Sequence, residues 1–299
     1  MKLSGVLTPI PTPFDQEDEV DLRRLRAALT AWLRSPLAGF VILGSNGEAA
    51  FLDEDESDRV VGTAREMVPK DRAFIVGTGR ETTRGTIGAT RRAAALGADA
   101  VLVRTPGFFK SQMTADVFVR HYRAVADASP VPVLLYNYTG VTGVNLPVDA
   151  VARLAEHANI AGMKESNGDL PRIAELVAST PGAFTLLAGS AATFYDALRA
   201  GVAGGILALG SVLPDQCVRL FELTAGGRLD EARALQQELL PIARLLGSTY
   251  GVPGLKAALK LVGCDVGVPR PPLVPLDDAA VAELAAALAP FGRELMAES

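Results

Sequence analysis

The stretch that decides the fold is G-V-L-T-P-I-P-T-P, residues 5–13. Its first part, Gly5–Ile10, is short and apolar, as expected of a strand buried in a parallel sheet. In an open doubly wound sheet, the first strand usually leads into a glycine-rich turn whose backbone N–H groups hold a dinucleotide. Prolines 9, 11 and 13 occupy that turn here, and proline has no N–H to donate. The turn therefore argues against a dinucleotide-binding sheet and favours a closed barrel.

The rest of the chain alternates apolar runs with helical patterns. We predict strands at Gly5–Ile10, Gly39–Leu43, Ala73–Gly77, Ala100–Val103, Val131–Tyr136, Ile160–Met163, Phe184–Ala188 and Gly204–Leu209. We predict helices at Leu22–Leu33, Glu56–Val68, Thr86–Leu96, Ala115–Ala128, Val148–His157, Leu170–Ala178, Ala191–Ala200 and Gln216–Thr224. Each helix is long enough to connect two parallel strands. The alternation predicts an α/β fold, a (β/α)8 TIM barrel.

The sequence after the eighth unit contains further helical patterns. We predict helices at Leu229–Leu246, Leu255–Val262 and Ala279–Met296, with a proline-rich connector at Val268–Pro275. We therefore expect the barrel over residues 1–225 and a C-terminal helical extension, residues 226–299, that packs on it.

Composition and charge exclude several classes of function. Of the 299 residues, 49% are hydrophobic and 21% are charged, which is typical of a globular protein with a large core. The net charge is −5 and no basic block is present, so the sequence does not predict the positively charged surface that nucleic-acid binding requires. No apolar run is long enough to span a membrane, and the N-terminus lacks a signal-peptide pattern. We expect a cytoplasmic protein.

Cysteine and histidine offer little chemistry in this chain. Cys217 and Cys264 cannot form a disulfide framework, and we expect both to be small apolar fillers. His121 and His157 lie in predicted amphipathic helices, where surface or packing roles are expected. No cluster of histidine, cysteine and carboxylate residues has the spacing of a metal site.

Lys164 is the strongest candidate for covalent catalysis. It closes the apolar run Ile160–Met163, and a lysine is rarely buried without a partner or a task. Burial lowers the pKa of an ammonium group, and the free amine is a nucleophile that can form a Schiff base with a ketone. The alternative is that Lys164 reaches solvent or pairs with a carboxylate, as buried charges often do.

Other polar residues follow the strands at the end of the barrel where active sites of this fold lie. Tyr136 ends the fifth predicted strand and is a candidate proton carrier. Ser45 and Asn46 lie in a glycine-bracketed turn that can bind a carboxylate. A carboxylate held there, with its neighbouring carbonyl facing Lys164, describes a 2-oxo acid. Each feature alone could be structural, and their convergence on one face carries the argument.

Three motifs make the chain resemble a known superfamily. They are G-S-N-G-E at residues 44–48, Y-N-x-x-x-x-T-G at residues 136–143 and G-M-K-E-S at residues 162–166. Over nearly its whole length the chain is similar to the pyruvate-dependent class I aldolases and lyases that include dihydrodipicolinate synthase and N-acetylneuraminate lyase. Within that superfamily, the S-N form of the turn, the serine two positions after the lysine and G-V-P-G-L-K at residues 251–256 most resemble 4-hydroxy-2-oxoglutarate aldolases.

The resemblance implies a role for each candidate. Lys164 would form the Schiff base, and Tyr136 would carry protons to and from the reacting atoms. The implied substrate-binding residues are Ser45, Asn46, Ser166 and Gly189. The partners would be pyruvate and an aldehyde. No metal or organic cofactor would be needed, because the protonated imine itself accepts the electrons. The resemblance also implies a homo-oligomer, either a tetramer or a dimer.

Two departures from the family pattern bear on the substrate. Dihydrodipicolinate synthases commonly read Y-N-x-P-x-R-T-G, with the arginine binding the carboxylate of the semialdehyde, and Val141 stands in that place here. Asn46 replaces a threonine of the usual turn and Phe109 replaces a common tyrosine, so the usual proton relay cannot be assembled. Both departures argue against lysine biosynthesis.

The leading hypothesis is a Schiff-base-forming aldolase that cleaves or forms a 4-hydroxy-2-oxo acid, with pyruvate as the enamine component. One alternative is 4-hydroxy-tetrahydrodipicolinate synthase, which condenses pyruvate with aspartate semialdehyde. An alternative of another class is a non-catalytic protein that binds keto acids. Turnover with aspartate semialdehyde separates the first two, and Lys164→Ala separates an enzyme from a binder.

Overall fold

The computed structural model describes residues 3–292. Its strands are β1 Gly5–Pro9, β2 Gly39–Ile42, β3 Ala73–Gly77, β4 Ala100–Arg104, β5 Val133–Asn137, β6 Ile160–Glu165, β7 Thr185–Ala188 and β8 Gly204–Ile206. Within this part of the chain every strand pairs in parallel with the next, and β8 pairs with β1 to close the barrel. The predicted TIM barrel is confirmed.

Helices connect the strands and continue after β8. They are α1 Leu22–Trp32, α2 Glu54–Met67, α3 Thr83–Ala95, α4 Ala115–Ala128, α5 Thr139–Thr142, α6 Val148–Ala155, α7 Leu170–Ser179, α8 Phe194–Ala200, α9 Leu209–Val212, α10 Pro214–Ala225, α11 Leu229–Arg244, α12 Gly251–Leu261 and α13 Asp278–Leu288. Short 3-10 turns lie at Ser45–Gly47, Ala49–Phe51, Lys110–Gln112, Ala191–Thr193 and Ala289–Phe291, and a π-helical turn lies at Leu245–Thr249.

The start of α2 shows how a local signal sets a helix boundary. The Asp53 carboxylate accepts a hydrogen bond from the backbone N–H of Glu56 at 2.8 Å, and the Glu56 carboxylate accepts one from the N–H of Asp53 at 3.0 Å. This reciprocal capping box satisfies donors that the first helical turn leaves free. The predicted start at Glu56 is therefore two residues late, because Glu54 and Asp55 belong to the first turn.

Two predicted C-terminal strand ends are wrong by more than one residue. Strand β6 continues past Met163 through Lys164 and Glu165, because the backbone ladder forms whatever charge the side chain carries. Strand β8 ends at Ile206, and α9 begins at Leu209, where the prediction still has a strand. An apolar run alone does not distinguish a buried strand from a buried helix.

The hydrophobic core has two layers. The larger layer lies between the strands and the helices. The smaller layer fills the barrel and contains Leu3, Leu7, Val41, Ile75, Ala100, Leu102, Leu134, Tyr136, Leu187 and Ile206. Alternate residues of each strand supply these two layers. Tyr136 is the polar member of the inner layer, and it lies next to the C-terminal residue of β5.

The C-terminal helices pack on the barrel. Leu255 of α12 and Leu284 of α13 belong to the same core layer as the barrel helices. The predicted helix at Leu229–Leu246 ends at Arg244, where the π-helical turn begins. Of the predicted helix Ala279–Met296, the part beyond residue 292 lies outside the described residues. The division at residue 225 stays a prediction.

Candidate active site

A cavity of about 760 Å³ lies at the carboxyl ends of the barrel strands. The six predicted site residues all line it: Ser45, Asn46, Tyr136, Lys164, Ser166 and Gly189. The C-terminal region supplies a further wall, made by Arg244, Leu246, Gly247, Ser248, Gly251 and Val252. The structure thus brings the predicted residues together at the end of the barrel where enzymes of this fold have their active sites.

Lys164 faces the interior of the barrel. Its backbone pairs with Tyr136 on β5 and Leu187 on β7, two residues of the inner core layer. The side chain is buried, and burial lowers the pKa of the Lys164 amine from 10.5 to about 7. The next residue, Glu165, forms an ion pair with Arg172 at 2.8 Å and does not neutralise Lys164. A substantial fraction of Lys164 is therefore a free amine at neutral pH.

Tyr136 lies beside that amine. The Lys164 Nζ atom lies 4.5 Å from the centre of the Tyr136 ring. The Tyr136 hydroxyl lies 3.2 Å from the Oγ atom of Ser45, at hydrogen-bond distance. Burial raises the pKa of Tyr136 above its usual value of 10.0, so the phenol keeps its proton at neutral pH. A hydroxyl pair at this position can pass a proton towards the cavity.

The turn that carries Ser45 and Asn46 is strained. It lies between Leu43 and Glu48, whose φ angles of 57° and 53° fall in the left-handed region. Residues other than glycine rarely adopt this conformation. It persists only where the surrounding structure holds it, and such strain is concentrated at functional sites.

A second buried lysine holds this turn. Lys256 of α12 forms an ion pair with Glu48 at 2.6 Å, and the backbone N–H of Arg270 donates to the same carboxylate at 2.8 Å. Thr12 donates from its hydroxyl to the carbonyl of Gly47 at 2.6 Å. Glu48 is therefore an anchor of the turn, and its carboxylate is already bound within the chain.

Ser166 and Gly189 meet at the ends of β6 and β7. A Cβ atom at position 189 would lie 1.8 Å from the Oγ atom of Ser166 and 2.9 Å from its Cα atom. Only glycine fits at that distance. The Ser166 hydroxyl is buried and makes no hydrogen bond of ordinary geometry among the described residues, although it is near enough to the Tyr136 phenol to lower the pKa of that group. An unpaired buried hydroxyl is costly, and here it lines the cavity beside Lys164.

Charged residues outside the predicted set also line the cavity, among them Arg104 and Glu81. Strand β4 extends one residue beyond its predicted end to Arg104, which continues the inward alternation of Ala100 and Leu102. The Nη1 atom of Arg104 forms an ion pair with Glu81 at 2.7 Å. The alternation, extended by one residue, would have indicated Arg104. Glu81 lies in a loop, where periodicity gives no signal.

The histidines and cysteines lie away from the residues that line the cavity. His121 of α4 is buried, its Nδ1 atom lies 2.9 Å from the Thr83 hydroxyl, and burial lowers the pKa of the ring to about 4. The Nε2 atom of His157 lies 2.9 Å from Asp127. Cys217 and Cys264 are buried as predicted, and burial raises the pKa of both thiols to about 12. All four residues therefore serve packing and local hydrogen bonding.

Phe108 and Phe109 remain largely exposed, at 76% and 67% of their surface. Their rings form an edge-to-face pair with centroids 5.0 Å apart. They do not pack into the core of the chain.

Residues 3–292 contain no group of three or more histidine, cysteine, aspartate and glutamate side chains arranged to hold a metal ion. Over the same residues, no helix is both long enough and apolar enough to cross a membrane.

Comparisons with known proteins agree with this geometry. Residues 2–290 match the model of the dihydrodipicolinate synthetase family. A 4-hydroxy-tetrahydrodipicolinate synthase of Exiguobacterium is 35% identical over 96% of this chain and 98% of its own length. A protein of Emericella nidulans named probable mitochondrial 4-hydroxy-2-oxoglutarate aldolase is 36% identical over 86% of this chain and 84% of its own length.

A solved structure extends the likeness to three dimensions. The chloride-inhibited dihydrodipicolinate synthase of Acinetobacter baumannii, complexed with pyruvate, is similar with a TM-score of 0.92 and 29% identity. The alignment covers 96% of this chain and 98% of that one. The named relatives include both synthases and an aldolase, so the names do not separate these two reactions. The chain belongs to the dihydrodipicolinate synthetase family and is an enzyme of the lyase class.

Proposed function

We propose that this enzyme is a Schiff-base aldolase that cleaves or forms a 4-hydroxy-2-oxo acid, with pyruvate as the enamine component. One observation carries the proposal. Lys164 is buried in the cavity, burial alone lowers the pKa of its amine to about 7, and Tyr136 lies beside it. A lysine kept for structure would instead have a bound partner, as Lys256 has in Glu48.

The reaction begins at the Lys164 amine. The amine adds to the C2 carbonyl carbon of the oxo acid, and the carbonyl oxygen leaves as water after it has received two protons. The product is a protonated imine. Tyr136, which shares a hydrogen bond with Ser45, carries the protons. Ser45 and Asn46 hold the C1 carboxylate next to the imine, and Ser166 supplies the further hydroxyl near it.

Cleavage uses the imine as the electron acceptor. The electrons of the C3–C4 bond move into the imine while the C4 hydroxyl loses its proton, so an aldehyde leaves and an enamine remains. The enamine takes a proton at C3, and water then releases pyruvate and free Lys164. The steps run through residues of this chain and the substrate alone, so the proposal includes no metal or organic cofactor.

Reductive trapping tests the proposal. With pyruvate and borohydride, we expect a stable reduced pyruvyl adduct on Lys164, located by mass spectrometry of peptides. Lys164→Ala should abolish both the adduct and turnover, whereas Lys70→Ala, at an exposed lysine, should leave both unchanged. An adduct on another residue, or none in the wild-type enzyme, would contradict the proposal. Strong keto-acid binding without turnover in the wild type would instead identify a non-catalytic binder.

The second candidate is 4-hydroxy-tetrahydrodipicolinate synthase, the name of the Exiguobacterium relative. It shares the Schiff base with pyruvate but needs aspartate semialdehyde as the other reactant. Val141 lines the cavity and offers no charge at the position where synthases hold the semialdehyde carboxylate with an arginine. We therefore expect faster pyruvate release from 4-hydroxy-2-oxo acids than pyruvate consumption with aspartate semialdehyde. The reverse order would favour the synthase.

A further inference from the structure

Arg104 lies level with the reacting amine inside the barrel. Its backbone pairs with Tyr136, and Tyr136 pairs with Lys164, so the three residues occupy one level on three adjacent strands. Neighbouring strands lie about 4.8 Å apart, which places the Cα atoms of Arg104 and Lys164 about 10 Å from each other. Arg104 also lines the cavity. Its side chain can therefore reach a group held a few bonds away from a Schiff base on Lys164.

Glu81 fixes the orientation of Arg104. One Glu81 oxygen binds the Nη1 atom of Arg104 at 2.7 Å. The other accepts backbone N–H groups from Gly107 at 3.0 Å and Phe108 at 2.9 Å. Arg104 Nη1 also donates to the carbonyl of Thr105 at 3.1 Å. These contacts use Nη1 alone, so Nε and Nη2 keep their donors for a ligand, in the planar fork that suits a carboxylate.

Arg80 adds a second positive charge to the same wall. It lines the cavity, it is half-buried, and it forms no ion pair within residues 3–292. Burial is the main cause of a lowered pKa at Arg80, and the charges of Arg92 and then Arg104 add to it, whereas Glu54 and Asp58 act in the opposite direction. Since Glu81 balances only one of the two arginines, this side of the cavity attracts an anion.

We propose that Arg104, oriented by Glu81 and supported by Arg80, binds a carboxylate on the aldehyde-derived half of the substrate. A C5 carboxylate is part of the substrate for which the aldolase of Emericella nidulans is named, and in this chain Arg104 is the residue assigned to such a group. In such a molecule C2 and C5 are three bonds apart, roughly 4 Å, which fits between Lys164 and the reach of Arg104. The inference rests on the proposed function and deepens it. Arg104 is a specificity residue in this scheme, and Glu81 is a positioning residue.

The test compares two substrates that differ only in the distal group: 4-hydroxy-2-oxoglutarate, and 4-hydroxy-2-oxopentanoate with a methyl group in place of that carboxylate. Arg104→Gln should lower kcat/KM for the dicarboxylate on the order of 10- to 100-fold, mainly through KM. The same variant should change kcat/KM for the methyl analogue by less than about threefold. Arg104→Lys keeps the charge without the fork and should fall between the wild type and Arg104→Gln.

Matched variants separate a binding role from a structural one. Arg84→Gln, at an exposed position of α3, should behave as the wild type with both substrates. Arg80→Gln should lose a smaller factor than Arg104→Gln, again only with the dicarboxylate. If Arg104→Gln fails to fold, Arg104→Lys and Arg80→Gln carry the same comparison. Equal losses with both substrates, or no loss with the dicarboxylate, would overturn the inference.

Trapping with pyruvate alone distinguishes a failure of the proposed function from a failure of the inference about Arg104. If wild-type enzyme gives no Lys164 adduct, the proposed function fails. If the wild type and every arginine variant give the adduct but the wild type shows no preference for the dicarboxylate, the proposed function stands and the distal-carboxylate inference fails.

Discussion

Lys164 and Lys256 are both buried, at 6% and 2% exposure, yet their surroundings differ. Lys256 contacts Glu48 at 2.6 Å and donates to the carbonyl oxygens of Thr12 and Val268. Lys164 has an aromatic ring beside its amine and no ion-pair partner among residues 3–292. The ion pair of Lys256 gives that residue a structural role. Lys164 is unpaired among those residues and its amine has a pKa of about 7, so it is available as a nucleophile.

The lowered pKa of Lys164 predicts how adduct formation depends on pH. The free amine is the reactive form, so the initial rate of adduct formation with pyruvate should rise with pH up to about 7 and change little above it. An ordinary lysine with a pKa of about 10.4 would keep gaining reactivity to much higher pH. The measurement is cyanoborohydride trapping between about pH 5 and pH 10, followed by mass spectrometry.

Circular dichroism over the same range serves as the control, because unfolding would also lower the rate. A rate that continues to rise tenfold per unit above about pH 8 would show that Lys164 is an ordinary exposed amine.

At the scale of the element, the strand ends β6 and β7 approach too closely for any side chain at residue 189. Gly189→Ala should push Ser166 and the end of β6 away, since the new Cβ atom would overlap the Ser166 hydroxyl and approach its Cα atom. We expect a loss of about 1–3 kcal/mol in the free energy of unfolding. Because Lys164 is two residues from Ser166, kcat should fall on the order of 100-fold. Chemical denaturation and single-substrate kinetics measure the two effects.

Gly62→Ala is the matched control, since outside the backbone of its own helix no atom lies within 4 Å of a Cβ atom at that position in α2. It should raise the free energy of unfolding by about 0.5–1 kcal/mol through the better helix propensity of alanine. Equal behaviour of the two variants would contradict the close packing of β6 and β7.

Local patterns predicted the elements well and their ends less well. Alternation and apolar runs located the barrel, and the strand-end rule then collected Ser45, Asn46, Tyr136 and Lys164. The same rule missed Arg104, because the predicted strand stopped at Val103 one residue earlier. A charged residue at the end of an apolar run belongs to the strand or the loop according to backbone pairing, and that pairing is a tertiary property.

At the scale of the whole molecule, the C-terminal region completes the site that the barrel begins. Lys256 binds Glu48 of the turn that carries Ser45 and Asn46, and Arg270 binds Glu56 of α2. The sequence gives no hint of either pair, because the partners are far apart along the chain and share no periodic pattern. Contacts of this kind explain why the motifs identified the site residues but not what holds them.

Lys256→Met should therefore act at a distance. It leaves the Glu48 carboxylate buried without its cation, and removing one partner of a buried pair costs about 3–5 kcal/mol. The turn with Ser45 and Asn46 should loosen, so KM for the oxo acid should also rise. Urea denaturation and steady-state kinetics test both effects.

A double-mutant cycle provides the control. Glu48→Gln combined with Lys256→Met should cost less than the sum of the single changes. Glu66→Gln, which breaks the exposed pair with Arg26, should change stability by less than about 1 kcal/mol. Additive effects at Glu48 and Lys256 would show that the pair does not couple the extension to the turn.

Because β8 pairs with β1, the barrel can close only after most of the chain has been translated. Gly5 of β1 pairs with Gly204 of β8, and a ribosome adds about 5–20 residues per second. The first strand therefore waits roughly 10–40 s for its neighbour, with backbone donors and acceptors open along one edge. Lys256 is translated later still, so the turn with Ser45 and Asn46 becomes fixed only near the end of translation. We expect a nascent chain to gain affinity for a keto acid only after its last helices have left the ribosome.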